Sequence, residues 1–308
     1  MSTDDRRARE GRRRRILSFR SRQVPVRALI PNMFTLLGLC AGLTAIRMAI
    51  EARYPEALAL IVFAAIIDGI DGRLARLLKA QSRFGAELDS LADFVNFGVA
   101  PAILIFTWGL GQQRSFGWIV VMVFAVACGL RLARFNAALD IEKPRWQSNY
   151  FTGIPAPAGA LTVLLPLYVD GIGLTGFEMR SWPVLIVVHT LAIAYLMVST
   201  IPTFSGKLAG EKIGRDVVPL TFMVVALCAA FLFTYPYITL SVLTLIYLGL
   251  IGVSFRRYRW HKEQELAAAL AQQAAGESAA ETAAPLSGTA PSAPIGVDGA
   301  DVKPETRH

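Results

Sequence analysis

The chain has 308 residues, 54 % of them hydrophobic and only 18 % charged, with a mean hydropathy of +0.47 and a net charge of +8. That apolar excess excludes a soluble globular domain and describes a polytopic membrane protein. The positive charge would suit nucleic acid, but ten arginines fall within residues 1–27, directly before the first apolar stretch. Beside a membrane helix, such an arm reads as a cytoplasmic anchor facing anionic lipid, and no nucleic-acid partner is expected.

Eight apolar segments follow, at about 28–49, 56–78, 88–110, 117–139, 154–170, 183–201, 216–234 and 237–255. Each is near the roughly 20 residues that a bilayer requires, so the expectation is an all-α protein of eight transmembrane helices. The first apolar stretch is too long for a cleavable leader and no small-residue cleavage site follows it. The fifth is short and carries Pro155, Pro157 and Pro166. The seventh and eighth are parted only by Tyr235-Pro236-Tyr237, an interfacial turn with aromatic anchors. Cys40, Cys128 and Cys228 lie in three different segments, fit no metal spacing, and read as small buried apolar side chains. Mid-segment His189 reads as a satisfied core imidazole. From residue 263 the composition turns to Ala, Glu and Gln and then to Gly, Ser, Pro and Thr. A short helical extension and a disordered tail are expected there.

Loop charge sets the orientation. Arg76, Lys79 and Arg83 follow the second segment, and Lys143 and Arg145 the fourth. Lys207, Lys212 and Arg215 follow the sixth, and Arg256, Arg257, Arg259 and Lys262 the eighth. The other side has only Arg53, Arg114 and Arg180. By the positive-inside rule both termini are cytoplasmic. The domains expected are a basic arm (1–27), a catalytic transmembrane core (28–220), two additional helices (221–255) and a largely disordered cytoplasmic tail (256–308).

The chemistry concentrates between Asp68 and Asp93. Asp68 and Asp71 form an i,i+3 pair at the end of the second segment, on one helical face. Gly85, Asp89 and Asp93 repeat at i,i+4 in the third. Ionisable groups in membrane helices are costly and normally mark function. Two antiparallel helices would bring the four carboxylates to one point, at the cytoplasmic face. They cannot all stay ionised without counter-charge, and two divalent cations such as Mg²⁺ or Mn²⁺ would supply it. Such ions also bind phosphate oxygens. Gly69 and Gly72 cost helix stability, which suggests that something approaches the backbone. A structural ion-pair network with Arg73 and Arg76 leaves the carboxylates in excess. A cation transporter is the alternative from another class, but its site would sit near the midplane within repeated halves.

The stretch resembles the signature of the CDP-alcohol phosphatidyltransferase family, D-x2-D-G-x2-A-R-x8-G-x3-D-x3-D, at every fixed position from Asp68 to Asp93. The resemblance implies a six-helix catalytic core, two divalent ions held by Asp68, Asp71, Asp89 and Asp93, and Asp93 as base for the acceptor hydroxyl. It implies that Gly72, Ala75 and Arg76 contact the cytidine nucleotide, and that the protein is a homodimer. Asn32, after Pro31, reads equally as a helix N-cap or as a nucleotide contact.

Ile30-Pro31-Asn32-Met33-Phe34-Thr35, Asp93 to Pro101, Arg131 to Asn136, Phe151 to Pro157 and Met197 to Pro202 are similar to the bacterial, integral-membrane, serine-using branch of that family. Over residues 28–220 the resemblance implies CDP-diacylglycerol and L-serine as substrates in a bacterial cytoplasmic membrane. Phosphatidylserine and CMP would be the products. Arg134, Arg131 and Asn136 are candidates for binding serine, with Arg134 preferred for its carboxylate because a guanidinium pairs with it bidentately. Both arginines read equally well as positive-inside anchors. Glycerol 3-phosphate, an inositol compound or choline are the alternative acceptors.

Overall fold

The structure, a computed structural model, describes residues 26–78, 82–138, 150–173, 178–199, 202–204 and 218–283. Most of the basic arm and the end of the tail lie outside these, as do Lys143, Arg145, Lys207, Lys212 and Arg215. Helices α1 (Val26–Ile50) and α2 (Tyr54–Leu77) form an antiparallel hairpin, with Ala52 in the turn at φ 59°. After α3 (Arg83–Asp93) the chain passes directly into a π-helical stretch, Phe94–Val99, then α4 (Ala100–Ile105) and a second π-helical stretch, Phe106–Leu110. A 3₁₀ turn at Gly111–Gln113 and Arg114, at φ 44°, reverses the chain into α5 (Arg114–Ala137). Next come β1 (Tyr150–Thr152), α6 (Ala156–Val163), α7 (Leu165–Ile172), α8 (Pro183–Val198), β2 (Pro202–Phe204), α9 (Val218–Thr234) and α10 (Pro236–Ala283).

Small side chains let α1 and α2 approach closely, as lipid-embedded helices must to gain packing contacts. Ala45 and Ala49 on α1 and Ala57 and Ala64 on α2 are all buried, the first three within one apolar cluster. On α2 the buried stripe Ala57, Ile61, Ala64, Ile67 continues at the same spacing to Asp71, 4 % exposed. The packing face therefore leads straight into the carboxylate site. Large residues such as Leu36, Leu37, Phe63 and Ile66 point outward, as a lipid-facing surface requires.

Among the described residues, three helical stretches are long and apolar enough to cross a membrane: Leu29–Ile50, Phe84–Ala137 and Pro236–Ser254, the second being a 54-residue run that α5 folds back. Pro183–Val198 and Val218–Thr234 are shorter apolar helices. Helix α2 is missing from both groups because it carries Glu56, Asp68, Asp71, Arg73 and Arg76. The chain is thus an almost wholly helical, polytopic membrane protein.

Some local expectations change. The first helix begins at Val26, so Asn32 lies inside it rather than at its N-cap, with Pro31 also internal. The fifth segment is two short helices broken before Pro166. The all-α expectation gains a small exception: β1 and β2 pair antiparallel, with Phe151 opposite Thr203. Cys128 is buried as expected, whereas Cys40 and Cys228 are exposed on helix surfaces. His189 Nε2 sits 2.9 Å from the Thr162 carbonyl oxygen. Helix α10 spans 48 residues, longer than the extension expected. The chain divides into two units, Met1–Tyr258 and Arg259–His308.

Candidate active site

Helices α2 and α3 bring the two aspartate pairs together. One carboxylate oxygen each from Asp68, Asp71 and Asp89 lies within 4.8 Å of the others. Asp93 lines the same cavity as these three. Like charges at this separation repel strongly unless a proton or a cation lies between them. The cavity that these four line is ion-sized, about 10 Å³, and is closed by Thr35, Gly38, Ala64, Ile67, Ala92 and Asn96. Anything much larger than a single ion is too big to enter it.

Sequence reasoning assigned no role to several residues that build this cavity. Thr35 Oγ1 on α1 donates to Asp71 Oδ2 at 3.0 Å and is also 3.2 Å from the Pro31 carbonyl oxygen. Asn96, 3 % exposed, comes from the π-helical stretch after Asp93, and its Oδ1 has no partner among the described residues. π-Helical insertions cluster at functional sites, and this one follows directly on Asp93. Thr35 closes one of the stretches that carry the family resemblance, but no role attached to it there, and nothing in the pattern announced the π-turn.

The donor set fits a hard divalent cation. Every ligand atom offered is a carboxylate oxygen. Asp68, Asp71, Asp89 and Asp93 are the residues that would hold it.

Around this centre, Ser82 caps α3, its Oγ accepting from Gly85 N at 3.0 Å. Gly85 lies so close to α1 that a Cβ there would come within 2.8 Å of Asn32 Oδ1. Asn32 is thereby set against the start of α3. Gly72 differs: a Cβ there would meet nothing within 4 Å, and the residue is exposed. Its surface is open to a ligand. Arg76 folds back along α2, Nε donating to the Gly72 carbonyl at 2.9 Å, with its guanidinium exposed. The side chain of Ala75 lies outside the described residues.

Helix α5 supplies the remaining candidates. Arg131 is the cation whose charge acts on both Asp68 and Asp93, and it stacks on Phe135 at 5.5 Å. Arg134 points away toward α8, Nη1 donating to the Val198 carbonyl at 2.6 Å and lying 3.5 Å from that of Ser199. Asn136 Nδ2 donates to Ser90 Oγ at 2.8 Å, tying α5 to the residue after Asp89.

The family model described as CDP-alcohol phosphatidyltransferase matches residues 28–248. A CDP-diacylglycerol–serine O-phosphatidyltransferase of Mycobacterium tuberculosis is 40 % identical over 238 residues, covering 75 % of this chain and 80 % of that protein. The protein of the same name from Mycobacterium leprae is 38 % identical, covering 78 % and 79 %. That of Bacillus subtilis is 34 % identical over 56 % of this chain and 88 % of its own. The match takes in every helix that carries the four aspartates, and the chain belongs to the CDP-alcohol phosphatidyltransferase family.

Proposed function

We propose that this protein transfers the phosphatidyl group of CDP-diacylglycerol to the hydroxyl of L-serine, giving phosphatidylserine and CMP. The observation that carries the reading is the joining of four aspartates at one ion-sized cavity, in a chain 40 % identical to a protein bearing that activity's name. Bound Mg²⁺ or Mn²⁺, two ions in our reading, would neutralise the pyrophosphate and stabilise charge on the phosphoryl oxygens.

The chain's own groups do the rest. Asp93, at the end of α3, takes the proton from the serine hydroxyl. The serine oxygen forms its bond to the lipid-side phosphorus as the bond from that phosphorus to the CMP oxygen breaks. Arg76 and the open face at Gly72 and Ala75 hold the cytidine nucleotide, with Asn32 beside them across α1. Arg131 offsets the negative charge at Asp68 and Asp93. Arg134 contacts the serine carboxylate: its Nη1 is fixed on carbonyls of α8, which preorganises the remaining edge of the guanidinium for a bidentate pair. Asn136 positions the same region through Ser90.

Eight spans, both termini in the cytoplasm, and an active site at the cytoplasmic face of a bacterial inner membrane complete the proposal, supported by the loop charges. So does the division into arm (1–27), core (28–220), additional helices (221–255) and tail (256–308). Homodimerisation rests on the family resemblance alone. Mass-spectrometric identification of phosphatidylserine, made by purified protein from CDP-diacylglycerol and L-serine, tests the reaction. A different phospholipid product would reassign the acceptor.

A further inference from the structure

A second cavity lies at the opposite ends of the same helices. It encloses about 360 Å³ between Tyr54, Trp108, Asp170, Glu178, Arg180 and Tyr237. Tyr54 opens α2, fourteen residues before Asp68, which is about 21 Å along a helix axis. Trp108 falls near the far end of the run that begins with α3, Asp170 in the last turn of α7, and Tyr237 in the first turn of α10. The cavity therefore belongs to the membrane interface away from the aspartates, and nothing in the proposed reaction uses it.

Its chemistry is mixed and unspent. The Arg180 guanidinium lies 5.4 Å from the centre of the Tyr54 ring and 5.7 Å from that of Trp108, so two aromatic faces place it. Among the described residues the ion pairs are Arg47–Glu51 and Arg53–Glu56; none engages Arg180. Asp170 uses Oδ1 to accept from Met179 N at 2.8 Å, and Glu178 Oε2 lies 3.5 Å from Ser181 Oγ. Each carboxylate keeps an oxygen for another donor.

A ligand for this cavity must bring an anion for the guanidinium and an N–H cation for the carboxylates. The Tyr and Trp walls sit where aromatic residues meet lipid headgroups. We infer that the cavity binds the headgroup of a zwitterionic phospholipid, a phosphodiester linked to a primary ammonium, from the leaflet opposite the aspartate cluster. The phosphodiester pairs with Arg180. The ammonium lies between Asp170 and Glu178, over the tyrosine rings. An anionic lipid would place its uncompensated charge against the same two carboxylates, and is disfavoured.

Thermal stability of the purified full-length protein, titrated with short-chain phosphatidylethanolamine, short-chain phosphatidylglycerol or soluble phosphoethanolamine, tests this. Phosphatidylethanolamine should raise the melting temperature by several degrees, with little effect from the other two. Arg180→Gln and Glu178→Gln should each weaken that response about tenfold or more, as expected for loss of a charge-assisted contact. CMP release should remain at the wild-type level in both. Glu178 is exposed and outside the aromatic stack, so its variant decides the matter should Arg180→Gln fail to fold. An equal shift with phosphatidylglycerol, an equal shift with phosphoethanolamine, or an undiminished response in Glu178→Gln overturns the inference.

Discussion

Thr35 and Asp71 join the first two helices at the active site: the threonine hydroxyl donates to the carboxylate at 3.0 Å, with both residues buried. The bond fixes one Asp71 oxygen and leaves the other for the cavity. Partners that orient metal-binding carboxylates typically contribute 10–100-fold to affinity. Thr35→Val should therefore raise the divalent-ion concentration needed for half-maximal activity by about tenfold or more, and Thr35→Ser should restore it. An unchanged metal dependence in Thr35→Val would mean that Asp71 needs no such support.

Gly72 and Gly85 should separate function from folding. A methyl at Gly72 meets nothing, so Gly72→Ala should fold normally and gain about 0.5–1 kcal/mol of helix stability. Its KM for CDP-diacylglycerol should nonetheless rise, because the open face is filled. A methyl at Gly85 would come within 2.8 Å of Asn32 Oδ1 and 3.0 Å of Ser82 Oγ. Gly85→Ala should lower the melting temperature as well as the activity. Thermal unfolding and steady-state kinetics on the two proteins check the contrast.

The two arginines of α5 should fail differently. Arg134→Ala should raise the KM for serine far more than that for CDP-diacylglycerol, and should loosen the end of α8 by removing the bond to Val198. Arg131→Ala removes a cation whose charge acts on Asp68 and Asp93 and should lower kcat with either substrate saturating. Kinetics with each substrate varied in turn, together with melting curves, distinguish these outcomes.

Single cysteines placed at Ser82 and Arg114 should label from opposite sides of the membrane, Ser82→Cys only after the cytoplasmic side is exposed. Labelling of both from one side would contradict the eight-span topology.

What the sequence revealed depended on regular spacing. The aspartates were readable because i,i+3 and i,i+4 positions share a face on any α-helix, and the structure converges them. Asn96 stands at i+7 from Asp89 and i+3 from Asp93, on their face of a helix, but an uncharged carboxamide carries no cost that singles it out in a membrane segment. Thr35 escaped because its partner lies on another helix, 36 residues away. Asn32 was weighed as a cap since Pro31 resembled a helix start, yet the helix opens five residues before that proline. The β1–β2 ladder joins three-residue strands whose partners are 50 to 54 positions apart, too short for any alternation to register.

CMP release by purified protein with CDP-diacylglycerol and Mn²⁺ or Mg²⁺ tests the central claim most directly. L-serine, glycerol 3-phosphate, inositol phosphate and choline would be offered separately, with Asp93→Asn as control. The account predicts release with serine, in proportion to lipid formed, and a fall of about 10²-fold or more in Asp93→Asn, as loss of a general base commonly produces. Release with another acceptor but not serine, or full activity in folded Asp93→Asn, would contradict it.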